Sequence, residues 1–177
     1  MSRAKVSRDR YGFVAAAAVV AALACGGKPP PAADVVPFEN RAWGIKLEYP
    51  GEWGARAGRG VEPLILEARA PGAKETVGAG LSVVGAWSAA PLEVVASDFE
   101  RKISLAGEVW ASDAEIGGRP GRAFEYYATR GGERVWTRAV VVRGDERYYF
   151  ITFAAYEPQR ETARPYFDAI ERSIEIR

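Results

Sequence analysis

The residues able to do chemistry are few, and what is missing decides as much as what is present. No histidine occurs in 177 residues. That excludes His-based triads, Cys–His pairs, imidazole metal sites and the commonest general base. A single cysteine, Cys25, can form neither an internal disulfide nor a cysteine cluster. Ser82 lies in Gly80-Leu81-Ser82-Val83-Val84-Gly85, one spacer too long for a nucleophile elbow, and no imidazole exists to activate it. Gly78-Ala79-Gly80 neither follows a Rossmann-type strand nor opens a helix, which argues against a dinucleotide site. Lys46 and Lys102 fall on the polar faces of their segments and read as solvated charges.

Paired carboxylates can do acid–base work without histidine. Asp113 and Glu115 would share a face if their segment is a strand, but they read as an exposed polar edge before Gly117-Gly118. Glu125, between Phe124 and Tyr126, is expected to pair with Arg138 across neighbouring strands rather than to catalyse. No Asp-rich loop offers the convergent oxygens a hard metal needs. The expectation is a protein with no catalytic residue, no metal and no cofactor. Five tryptophans remain. Trp43, Trp53 and Trp87 read as core or strand-end packing. Trp136, flanked by Arg134 and Arg138 on one strand face, is the possible binding patch, because Trp and Arg concentrate in binding hot spots. Trp110 fits either reading, and Arg119, Arg122 and Arg130 would border the patch or simply be solvated.

The elements that must position these residues form one domain of α+β type. Hydrophobic residues make up 48% and charged residues 27%, an ordinary globular balance. Trp43 to Tyr49 alternates apolar and polar residues and stops at Pro50-Gly51. Leu64–Arg69 and Gly80–Trp87 are the next predicted strands. Pro91 opens a predicted helix to about Ala106, with Leu92, Val95, Ala96, Phe99 and Ile103 at helical spacing. Arg122–Thr129, Arg134–Arg143 and Arg147–Ala155 are three strands joined by Gly-containing loops too short for parallel crossovers, so they form an antiparallel meander. Tyr148 to Phe153 is bulky on both faces, as a central strand covered on two sides would be. A closing helix is predicted from about Glu157 to Arg172 with a break or start near Arg164, forced by Pro165, and Ser173–Arg177 adds a short strand.

Before the domain stands an address. Arg3, Lys5, Arg8 and Arg10 precede an uncharged, Ala/Val-rich run from Gly12 to Ala24, shorter than the roughly 20 residues of a spanning helix. The run ends Ala22-Leu23-Ala24-Cys25, which resembles the lipobox of bacterial lipoproteins and implies cleavage before Cys25 and lipidation of its sulfur. Ala22-Leu23-Ala24 also satisfies a plain secretory cleavage site, and an uncleaved anchor is a third reading. Loss of residues 1–24 removes those four basic residues and Asp9, turning the net charge of +1 into −2. Neither balance suits an electrostatic nucleic-acid binder. Residues 25–37, with Gly26-Gly27 and Pro29-Pro30-Pro31, read as an extended tether, and residues 38–177 as the globular domain.

Trp43-Gly44-Ile45-Lys46-Leu47-Glu48-Tyr49-Pro50-Gly51-Glu52-Trp53 resembles the opening of PsbP-like domains. The amphipathic helix, the meander containing Phe124-Glu125-Tyr126 and the ending Ser173-Ile174-Glu175-Ile176 are similar as well. The resemblance covers about residues 38–177 and implies an antiparallel sheet with helices packed on its faces, an α/β/α sandwich. The roles it implies are binding or assembly, with no shared catalytic residue to transfer. The expectation is a non-enzymatic cell-envelope lipoprotein, facing the periplasm or the outer face. It is held to a membrane through Cys25 and binds an envelope protein; the alternative is a carrier of a small apolar or aromatic ligand.

Overall fold

The structure is a computed structural model that describes residues 34–71 and 78–177. Strands β1 (Val35–Asn40), β2 (Ile45–Pro50), β3 (Gly54–Ala57), β4 (Leu64–Arg69) and β5 (Ala79–Trp87) lead into helix α1 (Leu92–Ile103), which ends in a 3-10 turn at Ser104–Ala106. The meander is β6 (Val109–Ile116), β7 (Arg119–Arg130), β8 (Glu133–Arg143) and β9 (Arg147–Tyr156). A 3-10 turn at Glu157–Gln159, helix α2 (Arg160–Ser173) and the short strand β10 (Glu175–Ile176) close the chain. Seven strands form one antiparallel sheet in the order β3-β4-β5-β9-β8-β7-β6, and β1-β2-β10 form a second, smaller one.

Alternation along β9 sends side chains into two separate cores. Tyr149, Ile151 and Phe153 meet Trp43, Ile45 and Leu47 of the small sheet, together with Phe167 and Ile170 of α2. Tyr148 faces the other way, joining Phe124, Val141 and Ala96 beneath α1. The expected central strand and the α+β sandwich are therefore present, with the small sheet lying beside α2 on one face.

Two features differ from the sequence reading. The folded part begins at Val35, inside the expected tether, because β1 pairs with β2 from Val35↔Pro50 to Asn40↔Ile45. Pro37 is compatible with this pairing because β1 is an edge strand. Helix α2 runs through Pro165 without a break. The proline forfeits one backbone donor, and the burial of Ala163, Phe167 and Ile170 offsets that loss. Asp113 and Glu115 lie exposed on one face of the edge strand β6, in keeping with the polar edge expected before Gly117-Gly118.

The first two of the three meander hairpins turn on glycine pairs with positive φ, Gly117-Gly118 and Gly131-Gly132, the geometry whose twist matches antiparallel strands. Gly117 has a second reason to lack a side chain: a Cβ there would lie 2.9 Å from the backbone nitrogen of Ile176 in β10.

Two phenols are locked in the cores. Tyr148 donates to the carbonyl of Ala90 at 2.5 Å, and Tyr149 donates to the carbonyl of Trp43. Burial raises both above the ordinary tyrosine value. Below about pH 10 the phenols are protonated folded and unfolded, so this contribution is fully present. Above it the unfolded chain ionises first, and stability falls as pH rises. Urea midpoints are expected to fall between about pH 9.5 and 11.5, with a flatter slope in a Tyr148→Phe, Tyr149→Phe double variant; parallel slopes would refute the assignment.

Candidate functional site

The densest concentration of charged and aromatic side chains lies where β6, β7 and β8 approach the start of α2. The two-residue turn sets Glu125 opposite Arg138, and their side chains meet at 3.6 Å, as the sequence predicts. Arg138 also reaches across to α2 and donates twice to Glu171, Nε to Oε2 at 3.0 Å and a terminal nitrogen to Oε1 at 2.9 Å. This bidentate pair drives the guanidinium pKa further above its already high value, so the cation is permanent. Trp136 donates its indole N–H to Glu125 at 3.2 Å. Arg160, at the first turn of α2, lies 5.1 Å from the centroid of the Trp136 ring and donates to the Tyr127 hydroxyl at 3.1 Å. Its other terminal nitrogen stands 3.6 Å from Glu125. Arg134 covers the Tyr127 ring at 4.0 Å and donates to Glu157 at 2.9 Å.

Arg134, Trp136 and Arg138 do share one strand face, but that face is not a solvent patch. Trp136 is only 2% exposed and stacks on Phe167 of α2, with ring centroids 6.0 Å apart. The even-numbered positions of β8 that bear the patch are the ones α2 crosses. Glu171 receives Arg138 there, and that ion pair makes the charged half of the face buriable. Trp136 and Arg138 are thus corrected from a binding patch to a helix seat, while Arg134, its side chain 57% exposed and paired with Glu157, stays at the surface.

What reaches solvent is the margin of that seat. Trp110 on β6 is 50% exposed and meets Tyr127 edge-on, with ring centroids 6.3 Å apart. One open groove of about 250 Å³ is lined by Trp110, Glu125, Tyr127, Trp136 and Arg160. A second of about 250 Å³ lies between Trp110, Tyr127, Thr129 and Arg134. Tyr127, Glu157 and Arg160 escaped the sequence reading. Nothing in their spacing reveals that the chain after β9 turns back across β8 and β7, and that crossing is what assembles them. Chemically, the margin offers aromatic faces beside fixed guanidinium and carboxylate groups, which suits recognition of side chains.

The other tryptophans pack as expected. Trp43 and Trp53 are buried, while Trp87 sits exposed at the end of β5 between Trp43 and Arg147. Asp113 pairs with Arg122 at 2.5 Å. Cys25, the expected lipidation site, lies outside the described residues. Among the described residues no helix is long and apolar enough to cross a membrane.

No protein-family model matches the chain, and no curated protein matches it in sequence. Solved structures do. Cyanobacterial PsbP (CyanoP) from Synechocystis sp. PCC 6803 superposes with a TM-score of 0.60 at 17% identity, over 86% of this chain and 97% of its own. LpqN of Mycobacterium tuberculosis, described as involved in cell envelope biogenesis, gives 0.58 at 13% identity, over 80% of this chain and 90% of its own. A protein from Bacteroides thetaiotaomicron gives 0.56 at 13% identity, over 80% of this chain and 48% of its own. At these identities the likeness is one of architecture, and the chain has the PsbP-like fold.

Proposed function

We propose that the chain is a non-catalytic domain of the bacterial cell envelope that binds another protein through the margin around Trp110. The observation that carries this reading is the half-exposed Trp110, propped edge-on against Tyr127 between two open grooves and rimmed by Arg134 and Arg160. Aromatic and arginine side chains held rigid at a surface lose little entropy on binding, which is how they become hot spots. The envelope location rests on the lipobox-like N-terminus, and LpqN, which shares the fold, is described as involved in cell envelope biogenesis. A carrier would enclose its cargo, whereas the two larger grooves, of about 350 and 370 Å³, also open broadly to solvent. Protein binding is therefore preferred.

Trp110→Ala separates binding from folding. Surface changes of this kind move stability by about 0.5 kcal/mol or less. The thermal midpoint is expected to stay within about 2 °C of wild type. In cells of the native organism, a photo-crosslinking residue at position 110 or 129 should give one discrete protein adduct. The same residue at position 61, exposed in the loop between β3 and β4 at the other edge of the seven-stranded sheet, should give none. Adducts of equal yield at all three positions would remove the site.

A further inference from the structure

The open margins of the two sheets are not alike. β3 is only four residues long, and β1 carries Pro37 at its middle; both features blunt an edge against further pairing. β6 has neither protection. It is eight residues long, without proline, lysine or bulge, and it pairs with β7 residue for residue from Val109↔Tyr126 to Ile116↔Arg119. The two-residue turn makes Ile116 and Arg119 a hydrogen-bonded pair. Alternation along the ladder then leaves Val109, Ala111, Asp113 and Glu115 with N–H and C=O groups pointing away from β7. Pro120 agrees with this register, since it stands opposite Glu115, where β6 asks for no donor. Among the described residues no backbone hydrogen bond other than those to β7 engages β6.

We propose that β6 accepts an added strand: an extended segment of a partner protein with lysine or arginine at alternate positions on one face and an apolar side chain on the other. This deepens the protein-binding reading above and rests on it. Charge selects the partner. On one face β6 presents Asp113, 95% exposed and paired only with Arg122, and Glu115, which is exposed and has no ion pair among the described residues. Opposite charges directly across a strand pair stabilise it, and like charges oppose it. A second copy of the chain would set these acids against one another, so the acids select a basic strand over self-pairing. On the other face the residue opposite Trp110 covers its open ring. Main-chain bonds would supply affinity there, and the alternating side chains specificity.

The test uses the full chain and a synthetic nine-residue peptide of alternating lysine and valine. Binding is expected to slow hydrogen exchange at the amides of Ala111, Asp113 and Glu115 at least tenfold, with amides facing β7 little changed. N-methylation of the peptide residues that face β6 should abolish binding, whereas methylation of the intervening residues should not. Glu115→Lys should weaken binding at least tenfold, and a glutamate/valine peptide should not bind. Absence of lysine/valine binding, or binding that ignores N-methylation or leaves those amides exchanging freely, overturns strand addition. Concentration-dependent protection of the same amides without peptide overturns it in favour of a second copy. If any of these results appears while the position-110 adduct persists, protein binding stands and only its strand-addition mode is lost.

Discussion

Trp136→Ala is expected to lower the thermal midpoint by roughly 10 °C, taking about 3–5 kcal/mol for a buried large-to-small change and about 2–4 °C per kcal/mol in a domain of this size. The ring is sealed between the sheet and α2, stacked on Phe167, overlain by the Arg160 guanidinium and bonded to Glu125. Truncation opens a cavity under the helix. It also leaves Arg160 without its aromatic face and takes the indole N–H from Glu125, so the loss exceeds simple transfer of the side chain. Trp136→Phe keeps an aromatic ring against Phe167 but removes the N–H and part of the buried ring volume, and should cost less than the alanine change, about 1–3 kcal/mol. A two-state urea melt of both variants measures the difference. A midpoint within 2 °C of wild type for Trp136→Ala would mean that α2 does not sit on this ring.

That outcome bears on why the site was partly illegible in the sequence. Glu125 and Arg138 could be paired from sequence because Gly131-Gly132 sets the register of the β7–β8 hairpin, and counting back from the turn places them opposite. Tyr148 to Phe153 announced its central position, since only a strand covered on both faces can hide bulk at every position. Arg134-Val135-Trp136-Thr137-Arg138 gave the wrong impression of its environment because charge on alternate residues is the usual mark of a wet face. The burial of Trp136 and Arg138 depends on Phe167 and Glu171, which are far along the chain and come into place only when α2 folds back. Local pattern carries no information of that kind. β1 was hidden for a related reason: Val35, Val36 and Pro37 have tether composition, and pairing with β2 alone makes them a strand. β3 has no alternation to read, and its four residues are exposed.

The same network makes these charged residues scaffolding. Each carboxylate at the seat accepts from a guanidinium or an indole, and Glu125 contacts three donors, Trp136, Arg138 and Arg160. A general base needs a free lone pair within reach of substrate and a pKa near the working pH. Here the lone pairs hold a helix on a sheet. What that rigidity provides is a fixed position for Tyr127, and through Tyr127 a fixed edge-on position for Trp110.

Cys25→Ala is expected to move the protein from the membrane fraction to the soluble fraction, or to halt its processing, without changing the melting of the domain. The described domain begins beyond the Gly- and Pro-rich segment, so the substitution touches none of its packing. Among the described residues no helix is long and apolar enough to cross a membrane, and the net charge of −2 after loss of residues 1–24 gives no general attraction to anionic lipid. Acyl chains contribute about 0.8 kcal/mol per buried methylene, and more than one chain on a single residue is needed for stable anchoring, so losing the acceptor should be close to all-or-none. Labelled fatty acid should enter the wild-type chain and not the variant. Equal labelling of both, or labelling of neither in a host that lipidates other proteins, would refute the lipoprotein reading. If unlabelled wild type is then found free in the periplasm, Ala22-Leu23-Ala24 is a plain secretory cleavage site; if it is found intact in the membrane, the N-terminal segment is an uncleaved anchor.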